Sequence, residues 1–309
     1  MHCPATSTQR ELFTRAAQLL NAKPVATSEC FATGGAVLGR VTLAQPYSGG
    51  PGSHSGVLDA FLKVTWEAEE ISGLRAQAAW HSDWSAPLLA AGPIPKTEST
   101  GATFGAIMAL GQTGLLPTDA DLVTAIGRLH TDLAAVDTTE LVPLTAWFSA
   151  LGDLAQTPRQ LPAWAGHVLD YGQETARKLL AQQDNLTALH GDAHHRNLLN
   201  FSTPDKSEPD WKFIDPKALY GDRTFDYVNI VFNPDLAQSA NPKTLLARAR
   251  SIAALANIEL FTYLRWVGAY GCLSALWHLE SDPESAEAMT KLGIAKFAFN
   301  QALHTGGPA

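Results

Sequence analysis

Apolar positions along the chain first recur at helical spacing and then alternate. Residues 9–20, QRELFTRAAQLL, place apolar side chains three and four apart and stop before Asn21 and Pro24, so the spacing predicts a helix ending there. In CFATGGAVLGRVTLA (30–44) two apolar stretches flank Gly34 and Gly35, and the block SGGPGSHSG then leads to VLDAFLKV. This pattern predicts strand, loop and strand, with the glycine- and serine-rich block an exposed hairpin connection. WEAEEISGLRAQAAWHS (66–82) returns to helical texture, and GATFGAIMALG (101–111) reads as a buried strand entering a glycine-containing connector. Beyond Pro117 the pattern is mostly helical: Leu122, Ala125, Ile126, Leu129 and Leu133 share one face, and further helices are expected at 163–182, 243–256 and 259–279. One β interruption, LLNF and WKFID, is joined by the turn-rich STPDKSEPD. The change of texture near 110–117 predicts a strand-rich first domain over 1–110 and a helical second domain over 111–309.

Length agrees with that division, because 309 residues is long for a single core. The composition, 46% hydrophobic and 17% charged, is that of an ordinary globular protein. A formal net charge of -8 argues against a nucleic-acid partner, which needs a basic footprint, and suits a cationic small molecule better. Cysteines at 3, 30 and 272 have neither metal-ligand spacing nor disulfide density and read as free thiols in a reducing cytoplasm. The start, MHCPATSTQRELF, lacks the pattern of a secretory signal. The most apolar stretch, WVGAYGCLSALW (266–277), is short of the roughly 20 residues a bilayer needs, so it reads as a buried helix and no membrane partner is expected.

The chemistry concentrates in LHGDAHHRNLL (189–199). One reading is a zinc site built from His190, Asp192, His194 and His195. Their order differs from the His-x-His-x-Asp-His of metallo-hydrolases, and no distant His/Cys cluster completes the set. The other reading is phosphoryl transfer. It needs a base for the attacking hydroxyl, which Asp192 supplies, and oxygen ligands for magnesium, which Asn197 and Asp215 supply across a hairpin. It also needs a cation on the triphosphate. Lys63 in FLKV ends a strand, and an acidic partner should follow on the next helix, Glu70 first, with Glu69 or Glu67 in reserve. Lys63 alone would read as a surface lysine with its stem over apolar neighbours; the downstream residues, in the order a kinase requires, favour the ATP site. Gly34 and Gly35 would let backbone amides approach phosphates, or simply form a turn.

HGDAHHRN, followed by FIDPKALYGDRTFDYVNIVFNP, resembles the aminoglycoside/hydroxyurea antibiotic resistance kinase family, which includes streptomycin 6-phosphotransferases. The resemblance is close through these motifs and loose in the first lobe. It implies an α+β, bilobal, protein-kinase-like fold with a small strand-rich N-terminal nucleotide-binding lobe and a larger, mainly α-helical C-terminal catalytic and acceptor-binding lobe. It implies a small-molecule kinase that uses ATP and Mg2+ to phosphorylate a hydroxyl of a streptomycin-type aminoglycoside; hydroxyurea or another small metabolite is the alternative acceptor. Asp192 would be the catalytic base, Asn197 and Asp215 the magnesium ligands and Lys63 the phosphate contact, with Asp226 bracing the catalytic loop. His190 and His194 would orient that loop by hydrogen bonding. Lys217 either approaches the transferring phosphoryl or forms a structural salt bridge, and the same choice applies to Asn229 and Asn233. Backbone around Met108 to Leu110 would hold the adenine. Ala193 stands where the family commonly has leucine and Arg196 where it often has glycine, and AIMALGQTGLL lacks the charged pair expected near the hinge. Acidic candidates for a cationic acceptor are Asp235, Glu259 and Glu280, which otherwise read as solvated helix charges. A catalytically silent nucleotide-binding protein would usually lose Asp192, Asn197 or Asp215; all three are present.

Overall fold

The computed structural model describes residues 3–43, 58–95, 101–152, 161–203 and 206–306, so the SGGPGSHSG block lies outside the described residues. In chain order the elements are β1 (Cys3–Pro4), α1 (Ser7–Leu19), β2 (Ala22–Pro24), β3 (Phe31–Ala32), β4 (Ala36–Leu43), β5 (Leu58–Thr65), α2 (Ala68–Ala79), β6 (Leu88–Ile94), β7 (Thr103–Ala109) and α3 (Asp119–Asp132). There follow β8 (Val142–Pro143), α4 (Leu144–Trp147), α5 (Ser149–Gly152), α6 (Ala163–Ala181), β9 (Leu186–Leu189), β10 (Leu198–Asn200), β11 (Trp211–Phe213) and β12 (Leu219–Asp222). A 3-10 segment (Arg223–Phe232) then precedes α7 (Leu236–Ser239), α8 (Pro242–Leu255), α9 (Leu260–Ser281) and α10 (Ala286–His304). The chain packs as two units, Met1–Leu116 with Asn197–Ala218, and Pro117–Arg196 with Leu219–Ala309.

The first unit is built on an antiparallel seven-stranded sheet of order β1-β3-β4-β5-β7-β6, with β2 on β4. Side chains alternate across a strand, so β5 divides its residues between two layers. Ala60, Leu62 and Val64 join Val37, Val41 and Ile107 in a core closed by Leu12, Phe13, Ala16 and Ala17 of α1. On the opposite face, Phe104 and Ala106 pack against Ile71 and Leu74 of α2. Lys63 and Thr65 have the parity of that second face, which is how a lysine in a central strand comes to be buried beside a helix carrying glutamates. Strand β6 lies at the sheet edge, where Pro93 costs no ladder hydrogen bond on the open side. The β10–β11 hairpin is part of this unit. Gln112 is bridged to Asn200 by a 2.8 Å backbone bond, and Ala86 N–H donates to the Phe213 carbonyl at 2.8 Å.

In the second unit a small sheet, β8-β12-β9, carries the loop that follows β9. Helix α3 opens with a capping box, Thr118 and Asp121 exchanging side-chain and backbone bonds, as its polar entry residues favour. Helix α9 runs through the centre of the unit: Tyr263, Leu264, Trp266, Val267, Cys272 and Leu273 are almost wholly buried. Phe148, Phe225 and Trp266 meet edge to face with centroids 5.7–5.8 Å apart, the geometry that ring quadrupoles prefer. The apolar run at 266–277 is therefore core. No helix among the described residues is long and apolar enough to cross a membrane.

Candidate active site

In the first unit, Lys63 is 5% exposed and held between two carboxylates. Its Nζ donates to Asp215 Oδ1 at 2.6 Å and lies 3.3 Å from Glu70 Oε2. Glu70 Oε2 is buried and has no aligned hydrogen bond, so that contact is an ion pair alone. Glu69 points to Lys217, at 2.8 Å. Glu67 is the residue before α2 and lies against Gly35. Helix α2 can come this close to the Asp215-Pro216-Lys217 turn because residue 73 is glycine: a Cβ there would collide with the Pro216 carbonyl oxygen. The turn itself is strained, since Asp215 has φ 61° and Ala218 φ 54°, values that L-residues adopt at a cost.

The β10–β11 ladder pairs Leu198 with Phe213 and continues through Ile214 N–H to the Asn197 carbonyl at 2.9 Å, so Asp215 directly follows the residue paired with Asn197. An amide oxygen and a carboxylate are hard donors of the kind Mg2+ takes, and the orphaned Glu70 oxygen shares the Lys63 ammonium with Asp215. This donor set fits a hydrated magnesium ion. Gly34 and Gly35 form the β3–β4 turn, closed by Thr33 N–H to the Ala36 carbonyl at 2.9 Å, while Thr65 Oγ1 donates to the Gly35 carbonyl at 2.7 Å. Met108 is buried at the end of β7 with its sulfur 4.0 Å from Gln77 Nε2, and Leu110 is the first residue beyond the strand, 40% exposed.

In the second unit the loop after β9 is fastened to Asp226, which is 1% exposed. His190 N–H donates to Oδ2 at 2.8 Å and Gly191 N–H to Oδ1 at 2.7 Å, while His130 Nε2 lies 2.8 Å from Oδ2. Gly191, at φ 81°, makes the sharp change of direction this requires. Asp192 follows. Its N–H donates to His190 Nδ1 at 3.2 Å, its Oδ1 accepts from Asn229 Nδ2 at 2.7 Å, and its Oδ2 is 3.6 Å from His194 Nε2. His194 Nδ1 accepts from Arg196 N–H, and His195 Nε2 is 3.0 Å from Asp119. The histidines thus turn to separate partners, and among the described residues no group of three His, Cys, Asp or Glu side chains is arranged to hold a metal. Ala193 is buried where the loop packs inward; Arg196 is exposed.

Asp119, Arg248 and His130 escaped sequence reasoning. Arg248 clamps Asp119 through Nε and Nη2, both at 2.8 Å, and donates to the carbonyls of Ile230 at 2.8 Å and Asn233 at 2.7 Å. Asp119 sits in the polar entry of α3 and Arg248 in KTLLARAR, so each reads as an ordinary helix charge. Burial alone would raise the Asp119 pKa, but its hydrogen bonds to Arg248 and His195 bring it down to about 2. Of the acidic acceptor candidates, Asp235 caps α7, Glu259 accepts from Thr262 Oγ1 at 3.1 Å, and Glu280 is an exposed residue of α9. A polar pocket of about 680 Å3, lined by Asp184, Asp222, Arg223, Glu259 and Arg265, lies at the end of β9 away from the 190–197 loop.

Residues 118–282 match the family model described as aminoglycoside/hydroxyurea antibiotic resistance kinase. The chain is also 32% identical to a streptomycin 3''-kinase of Klebsiella pneumoniae over 232 residues, 72% of this chain and 81% of that protein. The chain belongs to the aminoglycoside/hydroxyurea antibiotic resistance kinase family. Its fold is that of solved aminoglycoside phosphotransferases. The structure of APH(4)-Ia in ternary complex with ADP and hygromycin B matches with TM-score 0.58 and 14% identity, over 98% of this chain and all of that one. The amicoumacin kinase hAmiN in complex with AMP-PNP, Ca2+ and Ami matches with TM-score 0.59 and 14% identity, over 96% of this chain and 94% of that one. As a member of this family the protein is an ATP-dependent phosphotransferase with a kinase-like fold. The family match begins at residue 118, so the reading of Lys63, Glu70 and Gly34-Gly35 rests on geometry rather than on that match.

Proposed function

We propose that the kinase transfers the terminal phosphoryl group of ATP to a hydroxyl of a streptomycin-type aminoglycoside. The observation that carries this reading is the ion-paired Lys63–Glu70–Asp215 group with Asn197 paired to the residue before Asp215, in a chain 32% identical to a streptomycin 3''-kinase. Lys63 serves as the cation for the nucleotide phosphates, and Gly34 and Gly35 let backbone approach them. Backbone at Met108 to Leu110 takes the adenine. Asn197 and Asp215 would hold Mg2+, which when bound neutralises charge on the phosphate oxygens. Asp192 accepts the proton of the attacking hydroxyl and orients it. Phosphoryl transfer passes through a loose transition state, so positioning and charge stabilisation supply most of the acceleration.

Lys217 acts as a structural partner of Glu69 in this reading, and His190 and His194 orient the loop rather than carry protons. Net acidity, -8 in formal charge, suits a cationic acceptor. The test is ADP release with Mg2+-ATP against streptomycin, other aminoglycosides and hydroxyurea, followed by NMR of the product to locate the phosphate. Acceptor-dependent release with streptomycin supports the proposal; release with hydroxyurea alone, or with none of them, overturns it. Asp192→Ala should lower turnover by about 10²- to 10⁴-fold, the range for a general base, while ATP still stabilises the protein against heat. Undiminished turnover in that variant would remove Asp192 from its role.

A further inference from the structure

Asp192 can serve as a base only if one carboxylate oxygen is presented in a fixed direction. Its Oδ1 accepts from Asn229 Nδ2 at 2.7 Å. A carboxamide can face a neighbour with either its oxygen or its NH2 group, and only the second attracts a carboxylate. The choice at residue 229 is decided one step further along the chain. The Asn233 side chain faces two oxygens of Asn229 at once, the backbone carbonyl and Oδ1, each at 3.1 Å. A backbone carbonyl can only accept, so Asn233 must present its NH2 group; Asn229 must then answer with its oxygen, and its own NH2 group is left for Asp192. Asn233 is itself anchored, because its carbonyl accepts from Arg248 Nη2 at 2.7 Å and Arg248 is clamped by Asp119.

We propose that Asn233 and Asn229 form a polarised amide chain that positions the catalytic base, with Asn229 donating to Asp192 and Asn233 fixing which way round Asn229 stands. The proposal rests on the reading of Asp192 as base. Both asparagines are positioning residues, acting through Asp192 rather than on the substrate. A pair that merely supported the 3-10 segment would leave kcat unchanged when Asn233 alone is replaced, since Asn233 bonds Asn229 and does not itself donate to Asp192. A positioning pair must couple to the ionisation of Asp192, since the donated bond favours the carboxylate form.

The test uses the full chain with Mg2+-ATP and whichever acceptor supports ADP release. Asn229→Asp replaces the donor with a second carboxylate against Asp192. The acidic limb of the kcat profile should then move up by about one pH unit, as for like charges sharing a site, with KM for ATP near wild type. His190, His194, Tyr270 and Lys291 also lie against Asp192 or its charge, but none is altered, so they are common to both profiles. Asn233→Leu should lower kcat about 10-fold without moving KM for ATP, by freeing the Asn229 amide to turn. Asn229→Ser, smaller and still polar, serves if the leucine or aspartate variant fails to fold and should likewise lower kcat more than KM. An unmoved pH profile in Asn229→Asp, or kcat within twofold of wild type in Asn233→Leu, overturns the amide chain. Asp192→Asn separates the two ideas. Retained turnover in that variant sinks the base itself, and the amide chain with it; an inactive Asp192→Asn alongside an unmoved Asn229→Asp profile sinks the amide chain alone.

Discussion

Replacing Asp119 by asparagine should expose the strength of the anchor beneath the 190–197 loop. The Asp119 carboxylate receives Arg248 at 2.8 Å twice and His195 at 3.0 Å, and its pKa falls from 3.8 to about 2. A carboxyl group with a depressed folded-state pKa binds fewer protons folded than unfolded. It therefore adds stability above its unfolded pKa and loses it as the pH falls through the folded value. A shift of roughly two units at 1.36 kcal/mol each amounts to about 2 kcal/mol. The stability gap between wild type and Asp119→Asn should accordingly be about 2 kcal/mol at pH 5 and above, and about half that at pH 3. Asparagine does not titrate, so the difference between the two proteins isolates this one group from the other carboxyls. Urea unfolding of both at pH 6, 5, 4 and 3, compared through midpoints at a common slope, gives the gap directly. An equal gap at pH 3 and pH 6, or none at either, would refute the assignment of the Arg248–Asp119 pair as the anchor.

Gly73→Ala sets two effects against each other. Alanine favours a helix over glycine by about 1 kcal/mol, whereas its Cβ would strike the Pro216 carbonyl, and such overpacking costs about 1–3 kcal/mol. The expected outcome is a lower melting temperature together with loss of most of the stabilisation by Mg2+-ATP, because α2 carries both Glu70 and Glu69; a stabilised protein with full nucleotide response would contradict the close approach. Lys63→Met leaves Glu70 and Asp215 without their shared cation and should weaken Mg2+-ATP binding at least about 10-fold, measured by calorimetry. Cys3 is exposed, while Cys30 and Cys272 are buried, and burial pushes both of their thiol pKa values up. Ellman's reagent should therefore titrate one thiol in the native protein and three after unfolding; rapid reaction of a second native thiol would contradict that burial.

The parts of the site legible in the sequence are those whose chemistry fixes their order along a continuous stretch. Asp192 and Asn197 fall in one loop, and a short hairpin returns the chain to Asp215, so spacing alone suggested their shared chemistry. Lys63 was legible only in that company: alone it reads as a surface lysine with its stem over apolar neighbours, and the kinase order of Asp192, Asn197 and Asp215 downstream is what points it at the phosphates. Strand β6 was missed because Gly92 and Pro93 read as breakers, which an edge strand tolerates. No helix was expected after residue 279, yet α10 runs from Ala286 to His304. Ala288, Leu292, Ala295 and Phe299 do form a buried stripe, but further apolar residues surround it, so the helical contrast in AEAMTKLGIAKFAFNQALH is weak.

The anchors were hidden for a deeper reason than weak patterning. A base, a metal ligand and a phosphate cation must be particular chemical groups, but a guanidinium that ties down the carbonyls of Ile230, Val231 and Asn233 can arrive from any helix that passes. Arg248 lies 129 residues from Asp119, and neither position obeys a local rule that the other satisfies. The asparagines at 229 and 233 occupy a middle case. Their spacing of four is visible in FDYVNIVFNP, and a pair of amides at that interval invites a hydrogen bond, but the direction of donation follows only once a carbonyl is seen to face Asn233. The polarity of the support for Asp192 is therefore a property of the folded backbone. A substitution such as Asn229→Asp, conservative in size, should thus disturb catalysis through charge alone, while leaving the packing around residues 223–232 as it is.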